Sequence, residues 1–402
     1  MPSDPARVES PVGPTARHAA RVSVIVPTHQ RAAMLAQCLE ALSRQTILPR
    51  EILVVDDGST DDTPAVAARY APLVRYIRTE TQSGKSVAVN LALEAAQGDF
   101  VWVFDDDDVA LPTAIAQLQA PLVADDSLGF SFGHFTFAIS APDGTIKSRE
   151  IDSLVPDIDE RGLLAPLLEV NYLGGARMMF RASALRAIGG FDKVYLRSQD
   201  FDVAVRMTRA YQGARAPGAP LYLYRVHLSA RTSGDRVTTG AQLEHRWLEY
   251  DRRIVTEVFA TMPLDQLLPR IDGRSATQRE LLLQRAGIFA SKVMFEEMLA
   301  DFRQIAALND NSPLTAFERR QAERLFYFSP MYELGDVIDD LSTVAELKAL
   351  SMQSTAVRHI VRHAATAAPL RSAAMMLQQR KPRRSWRIFR TALVFGPLSK
   401  SA

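Results

Sequence analysis

The apolar pattern of the chain begins with a continuous β-branched run, Arg21 to Pro27 (RVSVIVP), closed by a proline. A run without alternation predicts a strand buried on both faces of a parallel sheet. Met34, Leu35, Cys38, Leu39 and Leu42 then recur at three- and four-residue spacing, a single stripe that predicts a helix ending before Pro49. Glu51 to Val55 (EILVV) predicts a second strand. Gly58 to Asp61 form its turn into a helix leading to Tyr70, with Ser59 or Asp61 placed to cap it. Val74 to Ile77 predicts a short third strand, Ser86 to Ala96 a helix, and Phe100 to Phe104 (FVWVF) a fourth strand. This alternation predicts a doubly wound α/β fold, its sheet mostly parallel, with ligands bound beyond the carboxyl ends of the strands. The polar clusters fall at those ends.

Farther along, residues 128 to 151 carry strand-like segments about an Asp143-Gly144 turn, with aromatics at 130, 132, 135 and 137. Leu163 to Val170 and Asp200 to Tyr211 read as helices, Arg177 to Phe180 and Leu221 to Tyr224 as extended segments. After Gly240 the character changes: Gln278 to Ile305, and the stretch from Pro313 into the 320s, repeat with a helical period. The chain therefore divides into a Pro-, Ala- and Ser-rich leader over 1–20, expected to be disordered, an α/β domain over 21–238, an all-α domain over 239–347 and a helical tail over 348–402.

With 402 residues, 47% of them hydrophobic, the chain can bury a sizeable core. Its single cysteine, Cys38, forms no internal disulfide and no zinc thiolate cluster, which fits a reducing compartment and a core position. No stretch reaches the roughly 18 to 20 uncharged apolar residues that span a bilayer, and the first residues hold no apolar secretion core, so a cytoplasmic protein is expected. The net charge of +1 hides an asymmetry. From Lys348 onward there are 11 Lys or Arg and no acid, which leaves 36 basic against 46 acidic residues in the rest of the chain. In Lys381 to Lys400 (KPRRSWRIFRTALVFGPLSK), Trp386, Phe389 and Leu393 share a helical face flanked by Arg383, Arg387 and Arg390. Such a segment suits an anionic membrane surface, where each basic residue contributes on the order of 1 kcal/mol; it equally suits packing on the acidic body. Nucleic acid is not an expected partner, because the body is acidic and holds no recognition motif.

Two acidic clusters carry the chemistry. Asp56 and Asp57, followed by Gly58, end the second strand. Carboxylates there can accept hydrogen bonds from a nucleobase edge or from ribose hydroxyls, and glycine permits close backbone approach. An Asx turn with a helix cap uses the same residues. Asp105 to Asp108 follow directly on the most hydrophobic strand. Four like charges beside a low-dielectric core repel one another, so positive charge belongs among them. A hard divalent cation, Mn²⁺ or Mg²⁺, is the natural occupant, taking a few carboxylates and the rest from water and phosphates. A solvated acidic turn before Pro112 is the plainer alternative.

The segments VSVIVPTHQR, EILVVDDGSTDDT, GKSVAVNLALEAAQGDFVWVFDDDDVALP and GGFDKVYLRSQDFDVAVRM stand in the order and spacing of family 2 glycosyltransferases, which residues 21–230 resemble. The resemblance implies a GT-A fold followed by the C-terminal helical domain. It implies inverting, metal-dependent transfer of one sugar from a nucleotide diphosphate sugar, with UDP favoured. The acceptor would be a hydroxyl of a glycan or lipid-linked molecule in bacterial surface polysaccharide synthesis, met at the inner face of the plasma membrane. On the same grounds Pro27, Thr28, His29 and Arg31 form the loop that touches the nucleotide, and Asp57 reads the base with Asp56 beside it. Lys85 serves the diphosphate, and Asn90 and Asp106 belong to the same site. Asp105 and Asp107 fall on the DxD acids, Asp107 matching the metal-binding carboxylate. Asp200 matches the catalytic base, which takes the acceptor proton while the metal and Lys85 neutralise the departing diphosphate. Arg225-Val226-His227 resembles the family's YRxH segment, making His227 a further metal or phosphate ligand.

Five places depart from familiar patterns. Gln199 precedes the base where Glu is frequent, Val89 precedes Asn90 where Arg is frequent, and His29 stands where Tyr or Asn is common. Ser83-Gly84-Lys85-Ser86 is not a P-loop, since the earlier glycine is Thr79. Gln242 to Trp247 (QLEHRW) is one residue too long for the QxxRW of processive synthases, which favours single-sugar transfer. Two other classes stay open: a catalytically silent nucleotide-sugar-binding scaffold, and a nucleotidyltransferase. The latter needs a Gly- and basic-rich phosphate loop where this chain has Thr28-His29-Gln30-Arg31.

Overall fold

The computed structural model describes residues 21–140, 145–153, 155, 161–226, 231–232, 237–238, 240–325, 337 and 340–367. In chain order the elements are β1 (Val22–Thr28), α1 (Ala32–Ser43), β2 (Glu51–Asp56), α2 (Thr63–Ala68), β3 (Val74–Arg78), α3 (Lys85–Ala95), β4 (Phe100–Val103), β5 (Val109–Ala110), α4 (Ala114–Ala124), β6 (Leu128–Phe132), β7 (Thr136–Ser140) and β8 (Ile146–Asp152). They continue with α5 (Leu164–Glu169), β9 (Met178–Arg181), α6 (Ala182–Ala187), α7 (Gln199–Ala210), β10 (Gln212–Arg215) and β11 (Tyr222–Val226). The last are α8 (Gly240–Thr261), α9 (Gln278–Ser291), α10 (Phe295–Ala307), α11 (Ala316–Leu325), α12 (Leu341–Gln353) and α13 (Thr355–Ala367).

These elements form two compact units. The first takes the chain up to residue 153 with 175–190 and 211–226. Its seven-stranded sheet runs β10-β6-β9-β4-β1-β2-β3. It is parallel throughout except at β9, which runs against both β4 and β6. The expected mostly parallel sheet flanked by helices is thus present. β2 and β4 are buried at every position, and β1 at all but Pro27, which is why their sequences do not alternate. α1 buries Leu35, Cys38, Leu39 and Leu42, the predicted stripe, while Met34 is half-buried. A smaller sheet, β5-β11-β7-β8, gathers Phe135, Phe137, Tyr222 and Tyr224 into one aromatic cluster.

Parallel pairing sets the site. Thr28 lies opposite Asp56 and Ile25 opposite Val103, so the loops leaving β1, β2 and β4 emerge along one sheet edge. Of the two expected caps of α2, Asp61 meets the first N–H of the helix and Ser59 does not. Asp62 is the N-cap and makes no side-chain cap bond, while Asp61 accepts from the Thr63 N–H at 3.1 Å and the Ser59 hydroxyl accepts from the Gln30 N–H at 2.9 Å. The Ser59 side chain is thus drawn to the loop after β1 instead.

The second unit takes 154–174, 191–210 and the chain from 227. It is helical: α5 packs on α7 and α9, α9 on α10 and α11, and α13 on α10, α11 and α12. Two stretches inside the span 21–238, those carrying α5 and α7, belong to this unit. The run Gln278 to Ile305 is two helices, broken where Val293 adopts φ +57°. Among the described residues no helix is long and apolar enough to cross a membrane. The segment 381–400 and the leader lie outside the described residues.

Candidate functional site

The Asp105–Asp108 row leaves the carboxyl end of β4, the strand beside β1 in the sheet. Phe104, buried at its root between Trp102 and Tyr222, anchors the turn. Much of the positive charge that four acids demand comes from Arg31 and Lys85. Arg31, just beyond β1, reaches Asp106 at 2.9 Å and Asp107 at 3.0 Å through the same nitrogen. Lys85, the first residue of α3, pairs with Asp105. The Thr28 hydroxyl donates to Asp106 at 2.7 Å. Thr28, Arg31, Lys85, Asp105, Asp106 and Asp107 are therefore brought together, and Asp105 and Asp107 keep partly exposed side chains.

The inner acids respond to burial. Asp106 is pushed up to about 6 by burial, with Arg31 pulling against the shift and Asp107 adding to it. Asp108 is pushed well above the usual carboxylate range by burial and by the charges of Asp107 and Asp105; it accepts from the Arg225 N–H at 2.9 Å. Burial and the neighbouring charges thus push the inner acids toward the protonated form, while ion pairs offset the charge of the outer ones. Burial likewise pushes the Cys38 thiol up, leaving an unreactive core residue 3.9 Å from the Asp105 carbonyl.

Asp56 and Asp57 are both turned toward the protein. Asp56, 0% exposed, accepts from the Ser59 N–H at 2.7 Å and from the Tyr76 hydroxyl. Asp57 accepts from Ser83, Gly84 and Thr79. The Nδ1 of His29 lies 2.8 Å from the Asp57 carbonyl oxygen. Pro27 is half-buried at the end of β1. Asn90 faces Gly190, its Oδ1 2.5 Å from where a side-chain carbon there would stand.

Asp200 belongs to the second unit, in the first turn of α7, where its Oδ1 accepts from the Phe201 N–H at 2.9 Å. Its Oδ2 lies 2.6 Å from the point a Gly174 side-chain carbon would occupy, next to the Asn171 amide at 2.4 Å, so a larger residue there would displace both side chains. His227 lies outside the described residues. Gln37 joins the acid cluster without being singled out in the sequence, and Arg225, named there only as part of the Arg225-Val226-His227 segment, joins it too. Arg225 is buried, and its guanidinium donates to Gln37 at 2.8 Å. Their signal was faint: one sits in α1 and the other in β11, 188 residues apart. Among the described residues no three His, Cys, Asp or Glu side chains are arranged to hold a metal ion.

Residues 23–189 match the family model of Glycosyl transferase family 2. An uncharacterized glycosyltransferase of Bacillus subtilis, YwdF, is 27% identical over 200 residues, 50% of this chain and 72% of that protein. An uncharacterized glycosyltransferase of Escherichia coli, YibD, is 34% identical over 108 residues, 26% of this chain and 31% of that protein. Among solved structures, Staphylococcus aureus TarS in complex with UDP-GlcNAc aligns with a TM-score of 0.49 and 15% identity, covering 91% of this chain and 89% of that one.

Proposed function

The chain carries a glycosyl transferase family 2 domain over residues 23–189, and from that premise we propose that it moves one sugar from a nucleotide diphosphate sugar, a UDP-sugar first, onto a hydroxyl of a glycan or lipid-linked acceptor, with inversion. The carrying observation is the acid row at the end of β4, met by Arg31 from the end of β1 and by Lys85 from the start of α3. A site of this composition serves a ligand that is anionic and joined to a cation, which is what a metal-bound diphosphate is.

In this reading Asp105 and Asp107 would hold one Mn²⁺ or Mg²⁺. They are hard oxygen donors with partly exposed side chains, and a cation bound there would take over from the Arg31 and Lys85 charges that face them in this structure. When bound, the ion supplies neutralisation of the leaving diphosphate. Lys85 and Arg31 add fixed positive charge for the phosphates. Thr28 and Arg31 orient Asp106, and the nucleoside is received between the Pro27–Arg31 loop and the turn after Asp56. Asp200 takes the proton of the attacking acceptor hydroxyl, a role worth roughly 10²- to 10⁴-fold in rate. His227 serves as a further metal or phosphate ligand. The protein works in the cytoplasm as a peripheral enzyme of surface polysaccharide synthesis, with 381–400 resting on an anionic inner leaflet.

A thermal-shift screen of nucleotide sugars with Mn²⁺ tests the donor assignment, since a ligand of the folded state raises apparent stability. A selective rise for one UDP-sugar, lost in Asp107→Asn, is expected. No rise with any nucleotide sugar, or a rise indifferent to Asp107, would overturn it. Sedimentation with anionic vesicles tests the tail: the full chain should bind and a chain ending at Gln379 should not, and equal binding would remove the segment's role.

A further inference from the structure

The helical unit holds a buried ion pair that the proposed chemistry does not use. Lys292, 1% exposed, stands at the C-cap of α9, and its Nζ lies 3.0 Å from Oδ2 of Asp251 in α8, itself 2% exposed. The break before α10 is built around this lysine. Val293 takes φ +57°, and Arg252, the neighbour of Asp251, donates to the Lys292 and Val293 carbonyls, each at 2.8 Å. Carbonyls that the end of α9 leaves without a helical partner are thus met by a side chain of α8. The Lys292 ammonium also sits 4.9 Å from the centroid of the Phe201 ring. Phe201 is fully buried in the first turn of α7, one residue past Asp200, and its N–H is the donor to Oδ1 of Asp200 at 2.9 Å. One residue therefore has its ring against the lysine and its backbone on the carboxylate. All of these residues belong to the second unit. A buried ion pair of this kind contributes little net stability over apolar residues of like volume, so stability alone does not account for it.

We infer that Lys292, held by Asp251, is a positioning residue for Asp200: through the Phe201 ring it fixes the first turn of α7, and with it the direction of the Asp200 carboxylate. The role of Asp200 as base rests on the proposed function, whereas the hold on α7 does not. A shift of Phe201 is passed to Asp200 directly, because the two are joined by the peptide bond and by the hydrogen bond across it.

The test replaces both charges in the full chain by apolar residues of similar volume, Lys292→Met together with Asp251→Leu, so that neither partner is left buried alone. Phe201→Leu is the second variant, which removes the ring and keeps an apolar side chain. Each is followed by steady-state transfer from the UDP-sugar selected by thermal shift, by melting temperature and by amide hydrogen exchange over 199–204. The double replacement should melt close to wild type, keep KM for donor and acceptor, and lower kcat about tenfold, because a misplaced base costs rate rather than binding. Exchange over 199–204 should rise by about the same factor. Phe201→Leu should lower kcat to a similar extent, and the charge replacement should add nothing in that background, since both act through one ring. Transfer at the wild-type rate in the double replacement, or a loss that adds in full to that of Phe201→Leu, would overturn the inference. Should the double replacement not fold, Phe201→Leu decides: unchanged kcat with unchanged exchange over 199–204 would overturn it. Absence of transfer in wild type would strike the proposed function, while the exchange comparison would still decide the hold on α7.

Discussion

The acid row shows how a single residue type is sorted by depth. Asp105 and Asp107 face outward to Lys85 and Arg31, while Asp106 and Asp108 are buried and drawn toward the protonated form. The sequence displayed four acids and the need for positive charge. It could not say which cation would answer, because Arg31 and Lys85 are brought beside the row only by the parallel pairing of strands far apart in sequence. Gly174 is similarly silent in the sequence. A methyl there would press on the Asp200 carboxylate at 2.6 Å, so Gly174→Ala should lower transfer more than tenfold while leaving donor affinity intact. Parallel loss of donor binding would place the damage elsewhere. Glu280 gives a pH signature. Burial works to raise its carboxyl, but bonds from Arg274, the Thr277 N–H and the Thr315 hydroxyl hold it at about 2. A depressed folded value means stability present above the ordinary value near 4.5 and lost as pH falls toward 2. Wild type should lose melting temperature across that window, and Glu280→Gln should start lower at pH 7 and lose less on acidification; identical slopes would contradict the assignment.

At the scale of elements, β1, β2 and β4 were legible because burial on both faces leaves long apolar runs, and α1 because its stripe is regular. The break between α9 and α10 was not, since Val293 is a β-branched residue in a left-handed conformation that no local signal announces. Strands β5 and β10 were equally silent; β5 has two residues and β10 pairs at the sheet edge. α9 is fixed by identifiable devices. Thr277 and Glu280 form a reciprocal capping box, and Arg279, nearly fully buried, grips Glu318 of α11 at 2.5 and 2.8 Å. Removing one member of a buried pair strands the other, so Arg279→Met should cost about 3 to 5 kcal/mol in denaturant unfolding, against about 1 kcal/mol for Thr277→Ala. Equal, small losses would show that α9 and α11 are held by apolar packing alone.

For the whole molecule, the division into an α/β unit and a helical unit follows from the change of pattern along the chain, but the chain crosses between them more than once. Residues 191–210 group with the helices because α7 buries Phe201, Val203, Ala204 and Val205 and packs on α5. The proposed base therefore belongs to one unit and the proposed metal and phosphate residues to the other. The central claim is that both sets serve one transfer. It is tested most directly by following UDP release and glycoside formation from the UDP-sugar chosen by thermal shift, with Mn²⁺ and a hydroxyl acceptor, in wild type, Asp107→Asn and Asp200→Asn. Wild type should turn over with inversion at the anomeric carbon, Asp107→Asn should lose donor binding and transfer together, and Asp200→Asn should bind the donor normally yet transfer at least about a hundredfold more slowly. Transfer at the wild-type rate in either variant would contradict the account.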